Sequence, residues 1–195
     1  MSERFYLLKV QLIDIEPAIW RRFVVPARIT LDRLHDVIQI VMGWADSHLY
    51  EFTIGKKRYT EYPESKEDGL ACGKYRLGDL LKQKGRTFHY LYDFGDSWEH
   101  ELVLEESRFN PGLGAELTCI DGERACPPEN VGGVPGYFEF CNALKDPEHE
   151  DYESYMGWSD GDFDSERFDP ATVYWELMKY LCWSRDRYQN WGWVD

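Results

Sequence analysis

The order in which strand-like and helix-like runs follow one another constrains this chain more than any other feature. Residues 5–15 and 18–25 mix apolar and polar residues of β-favouring types around Glu16-Pro17 and stop at Pro26, so they read as two strands. The clearest helix comes next. Thr30 stands where an N-cap belongs, Leu31, Leu34, Ile38, Val41 and Met42 recur at three- and four-residue spacing, and Gly43 occupies the C-terminal cap position. Residues 48–54 and 57–62 flank Gly55-Lys56 as a hairpin, 63–69 make a polar loop, and 77–84 read as a short helix closed by Gly85. Residues 87–92 and 97–105 are two further strands around the turn Asp93-Phe94-Gly95-Asp96. This order does not alternate as βαβ units do. It favours an α+β fold, with a largely antiparallel sheet built from hairpins and with packed helices.

Beyond residue 106 the texture changes. Asn110-Pro111-Gly112 and Cys126-Pro127-Pro128 mark loops, and Gly132-Gly133 precedes a helix over 134–145. Asp169-Pro170 starts a last helix running to about residue 183, with Val173, Leu177 and Leu181 on one side. A chain of 195 residues supports one well-buried core, so 1–195 reads as a single domain with a β-rich half (1–105) and a helix-rich half (106–195). Aromatic residues make up 16%, and buried Tyr and Trp need polar partners, which predicts a core threaded with hydrogen bonds.

The net charge of −14 is one-sided: residues 1–100 hold 15 basic and 15 acidic side chains, and residues 101–195 hold 7 basic and 21 acidic. Such a field repels phosphate backbones and attracts cations or basic proteins, which argues against direct nucleic-acid binding. The five cysteines are odd in number and form no Cys-x-x-Cys, so reduced thiols are expected rather than a disulfide framework. With no signal-peptide pattern at Met1 to Phe5 and no apolar run of membrane length, a cytoplasmic location and no membrane insertion are expected.

Two places carry residues fit for chemistry. Asp93, Asp96 and His100 share one hairpin, and His48 lies in the earlier one; together they could bind a divalent metal or transfer protons. The structural alternative is that Asp93 caps its own turn, Gly95 supplies the left-handed backbone, Asp96 accepts backbone N–H groups and His100 is a buried ring beside Trp98. The second place is the acidic, aromatic stretch within 137–169, where Tyr137, Tyr152, Tyr155 and Trp158 accompany Asp160, Asp162 and Asp164. Rings beside carboxylates suit a cationic ligand or a Lys/Arg-rich segment, and the alternative is that the rings anchor a long loop.

Several partial motifs fail. Asp93-Phe94-Gly95 lacks every other kinase element. Asp160-Gly161-Asp162-Phe163-Asp164 lacks the glycine and glutamate of a calcium loop, where Ser165 and Ala171 stand instead. Cys119 and Cys126 are spaced too widely for a usual zinc pair.

The stretch Tyr92-Asp93-Phe94-Gly95-Asp96-Ser97-Trp98-Glu99-His100 resembles the plasmid pRiA4b ORF-3-like family. So do Ile19-Trp20-Arg21-Arg22, Leu34-His35, Gly43-Trp44, His48-Leu49-Tyr50-Glu51-Phe52 and Cys126-Pro127-Pro128-Glu129-Asn130-Val131-Gly132-Gly133 with Gly136-Tyr137. The chain departs from the family at Asn130, where an acidic residue is usual, and at Val131, where Cys is frequent. The family is scattered among bacteria, archaea and mobile elements, and the resemblance implies no defined activity.

The leading expectation is therefore a non-enzymatic binding or adaptor domain whose acidic, aromatic half meets a cationic ligand or basic protein. The rival is a metal-dependent hydrolase of phosphoester type using His48, Asp93, Asp96 and His100. A third idea, acidic bulk that mimics nucleic acid on a mobile-element enzyme, follows from the charge and the family's genomic company.

Overall fold

A computed structural model describes residues 4–65, 67–112, 116–159 and 161–183. Its strands are β1 (Phe5–Leu12), β2 (Trp20–Pro26), β3 (Tyr50–Ile54), β4 (Lys57–Thr60), β5 (Leu70–Ala71), β6 (Thr87–Tyr92), β7 (Trp98–Phe109) and β8 (Thr118–Glu123). They form one sheet in the order β5-β4-β3-β6-β7-β1-β2-β8. Of its pairings β4–β5 is parallel, and the others are antiparallel. The helices are α1 (Leu31–Met42), α2 (Leu77–Leu80), α3 (Gly133–Ala143), α4 (Tyr152–Trp158) and α5 (Pro170–Trp183). The fold is α+β, as the order of the sequence runs requires.

Directly opposed residues of neighbouring strands point to the same side of a sheet, so the register alone defines its faces. Tyr59 opposes Phe52, Phe52 opposes Tyr90, Tyr90 opposes His100 and His100 opposes Leu12. In the next rows Tyr92 opposes Trp98, and Phe88, Leu102, Val10 and Arg21 follow one another across four strands. Every one of these side chains is buried. The other face carries Lys9, Arg22, His89, Glu101 and Glu105, with Arg22 bonded to Glu105 at 2.6 Å. One face packs and one is polar, the usual arrangement of an antiparallel sheet.

The helix α1 packs over the buried face. Its apolar stripe Leu31, Leu34, Val37, Ile38 and Val41 is excluded from water, and Gly43 takes φ 99° to end it. Thr30 starts it in extended conformation, with no side-chain capping bond.

Four elements differ from the sequence expectation, the smallest being the unexpected strand β5. The helix expected over 77–84 stops at Leu80. Thr118–Glu123 lacks an alternating pattern yet pairs antiparallel with β2, whose exposed edge supplies the hydrogen bonds. Tyr152–Trp158, read only as an acidic stretch, makes a helix too short to show a helical period in the sequence.

Candidate functional site

Three connections meet at one end of the sheet: 43–49 between α1 and β3, the turn 93–97 between β6 and β7, and 126–133 ahead of α3. The indole N–H of Trp44 donates to Pro127 O at 3.0 Å. The N–H of Ala45 and the hydroxyl of Tyr92 donate to the same oxygen of Glu129, at 3.0 and 2.9 Å. The Tyr92 hydroxyl accepts in turn from the N–H of Ser47 at 2.9 Å. Burial raises the Tyr92 hydroxyl above its ordinary pKa, so it stays a donor to the carboxylate.

His48 occupies the middle of this meeting point. Its Nε2 lies 3.0 Å from Asn130 Oδ1, 3.4 Å from Asp93 Oδ2 and 3.7 Å from Glu129 Oε2. The other oxygen of Asp93 caps its own turn, accepting from Gly95 N at 2.9 Å and Asp96 N at 3.3 Å. The left-handed backbone expected at Gly95 belongs instead to Asp93 (φ 53°) and Ser97 (φ 56°). Of the six non-glycine residues with positive φ among those described, Asp46, Asp93, Ser97 and Asn130 fall in these three connections. Strain of this kind persists only where the surroundings over-determine it, and it concentrates at working sites. The exposed rim carries Leu49 and Phe94, 56% and 52% accessible.

Of the expected metal set, His48 and Asp93 come together, whereas Asp96 and His100 turn elsewhere. Asp96 Oδ2 accepts the N–H of Gly132 at 3.1 Å, and the backbone of Gly133 comes so close that an added Cβ would sit 2.5 Å from Asp96 O. The glycine pair thus approaches the chain's own turn. His100 is fully buried, with Trp44 edge-on at 5.1 Å and Tyr90 at 5.2 Å. Its Nδ1 pairs with Tyr90 O at 3.2 Å, which sets the proton on Nδ1; Nε2 has no hydrogen-bond partner among the described residues. Burial pushes the imidazole down to about 4, so it is neutral at pH 7.

Glu129 and Asn130 also belong to the site, although in the sequence they stand out only as part of the family-like stretch 126–133 and, for Asn130, as a departure from it. A second group carries no motif in the sequence. The N–H of Asp46 donates to Gln39 Oε1 at 2.9 Å, which turns the Gln39 amide nitrogen toward the Tyr90 hydroxyl, 2.9 Å away. Tyr90 therefore donates its proton to His35 Nδ1 at 2.7 Å, and His35 keeps its own on Nε2, 2.8 Å from Asp46 Oδ1. Tyr50 stacks on the imidazole with centroids 3.6 Å apart. Leu34-His35 was visible in the sequence as a family stretch, but nothing there linked it to Gln39, Asp46 or Tyr90.

Among the described residues, His35, Asp36 and Asp46 are the set whose ligand atoms lie within 4.8 Å of one another. Their hydrogen bonds do not suit a metal. An ion on His35 Nε2 needs the lone pair there, which would move the ring proton to Nδ1 and leave the buried Tyr90 hydroxyl without an acceptor. Asp36 is already engaged by Arg33 at 3.0 Å and by the Tyr180 hydroxyl at 2.8 Å. The arrangement is a fixed N–H donor beside a carboxylate.

In the acidic stretch Tyr137 lies in the core, 1% accessible. The hub is Phe140, which meets Tyr155, Trp158 and Phe163 at 5.3, 5.5 and 4.9 Å. Tyr152 begins α4 and is partly exposed, Trp158 is 45% accessible, and Asp162 and Asp164 are exposed. Asp160 lies outside the described residues. All five cysteines are free thiols, and burial raises Cys119 to about 11.

Residues 4–172 match the plasmid pRiA4b ORF-3-like protein family, and the chain belongs to that family. It is 43% identical over 162 residues to the uncharacterized protein y4hQ of Sinorhizobium fredii, covering 81% of this chain and 82% of that one. The crystal structure of the protein of unknown function MM3350 from Methanosarcina mazei Go1 has the same fold, with a TM-score of 0.78 at 37% identity over 88% of this chain and 98% of that one. Several stretches that carry the family resemblance, 43–44, 48–52, 92–100 and 126–133, are the ones that meet around His48.

Proposed function

We propose that this chain is a binding or adaptor module, not a catalyst, and that its acidic, aromatic C-terminal half engages a basic protein or other cationic ligand. The observation that carries this reading is the exposure of large rings on the helices of the charged half: Phe138 at 40%, Trp158 at 45%, Tyr174 at 40% and Trp175 at 63%. Exposed rings among carboxylates attract ammonium and guanidinium groups. The test is titration of the protein with octalysine, followed by tryptophan fluorescence and calorimetry at low and physiological salt. The reading expects saturable, salt-sensitive binding that weakens when Glu148, Glu150, Asp151 and Glu153 are changed together to Lys. Affinity unchanged by that reversal ends it.

A second reading, metal-dependent phosphoester hydrolysis, is favoured by the approach of Asp93 and Glu129 to one ring nitrogen of His48 among left-handed residues. It expects the purified protein to carry a stoichiometric divalent metal and to melt lower with a chelator, since a metal bound only by the folded state stabilises it. Metal-free protein with a chelator-independent melt removes this alternative.

A further inference from the structure

A groove of about 420 Å³ runs between the C-terminal end of α1, the Ala125-Cys126 segment and residues 162–176. Its apolar wall includes Met42, Phe163 and Val173, and the acids along it are Asp162, Asp164, Asp169 and Glu176. We propose that this groove receives one lysine or arginine side chain of a partner protein. The inference rests on the binding-module reading and deepens it by assigning the place and the chemistry.

The size limits the occupant. A groove of this volume takes a long side chain with its own backbone, and is too small for a packed helix. Lys and Arg suit such a place because their methylene stems cover apolar surface while the charged end stays at a polar rim. Asp169 accepts from Ala171 N at 2.9 Å and Thr172 Oγ1 at 2.7 Å, and Glu176 pairs with Lys179 at 2.5 Å, so the acids open to a cation are Asp162 and Asp164. Asp164 uses one oxygen for Glu166 N at 3.0 Å and has no ion pair among the described residues. Asp162 pairs with Arg167 at 3.3 Å, but the two side chains are 85% and 61% exposed, and a pair so solvated exchanges readily with an incoming cation.

The remaining cation along the groove, Arg21, does not compete. It is 2% accessible, and its guanidinium donates to Val41 O, Trp20 O, Glu123 O and Arg124 O at 2.7–2.9 Å. Phe168 closes over its face at 4.1 Å. Arg21 therefore ties β2, the end of β8 and α1 together, and the field that reaches the groove mouth is negative.

The experiment is methyl and aromatic NMR of the full chain, titrated separately with N-acetyl-arginine amide, N-acetyl-norleucine amide and octalysine. The expected result is that the arginine probe shifts Val41, Met42, Phe163 and Val173, and that norleucine, which has the stem without the charge, does so far more weakly. In D162N/D164N the arginine affinity falls roughly fivefold, the scale of two solvated charge contacts. Asn keeps the acceptor that Asp164 offers to Glu166 N, so the turn survives and an unchanged spectrum verifies the fold. Equal shifts from arginine and norleucine, or arginine shifts confined to Trp158 and Trp175, overturn the groove assignment while octalysine binding keeps the broader reading. Failure of both arginine and octalysine to bind the native protein overturns both.

Discussion

His100 shows what the core does to a single titratable residue. Its folded pKa of about 4 lies below the unfolded value near 6.5, so between these values the unfolded chain takes up a proton that the native ring refuses. Stability is therefore intact above about pH 6.5, falls as the pH drops toward 4 and levels off below that, by about 3 kcal/mol for this residue alone. Urea denaturation from pH 7 to 4 is expected to show a steeper loss in the native protein than in His100→Phe. Parallel curves would mean that the ring is not held neutral. The Tyr92 hydroxyl makes a second residue-scale prediction, because it joins Ser47, Glu129 and the end of β6. Tyr92→Phe leaves the Ser47 N–H and the Glu129 carboxylate each short of a partner. The expected cost is about 1–3 kcal/mol in chemical denaturation, the range for a buried polar group left unmade.

At the scale of elements, α4 depends on one ring from a neighbouring helix. Phe140 of α3 is fully buried, and Tyr155, Trp158 and Phe163 are arranged around it edge-on or inclined. Phe140→Ala is expected to destabilise the protein by about 3–5 kcal/mol. Amide exchange should rise first in α4, because a seven-residue helix holds itself together poorly without packing. Protection of Tyr152–Trp158 unchanged in the variant would show that some other contact holds the element. The helix α1 was readable as a helix from its stripe and its glycine stop. Its polar residues His35 and Gln39 were not readable as parts of a network, since their partners lie on β6 and in the 43–49 connection.

For the whole molecule, the neutral and acidic halves share one sheet: β8 comes from the acidic half and pairs with β2. Calorimetry is expected to give a single cooperative transition, with van't Hoff and calorimetric enthalpies equal. Two transitions would mean that the charge boundary is also a folding boundary. A net charge of −14 also opposes compaction, so the melting temperature should rise as salt goes from about 0.01 to 0.15 M and the Debye length shortens from about 30 to 8 Å.

The sequence alone determined the class of fold, because hydrophobic periodicity and turn residues are local properties. The alternation in residues 5–12, the stripe of α1, the Gly55-Lys56 hairpin, and the β6 and β7 strands all follow from neighbours within one turn or one pleat. The one-sided charge and the family resemblance are likewise properties of the chain. What tertiary structure decided was the company each residue keeps. Asp93 lies beside His48 because β3 pairs with β6, and Glu129 and Asn130 join them because 126–133 is held against Trp44 and Asp96. Asp96 and His100 leave that group because one oxygen of Asp96 caps Gly132 and alternation along β7 turns His100 inward. Contacts between residues 36 to 83 positions apart in the chain leave no periodic trace, and only the assembled sheet makes them neighbours.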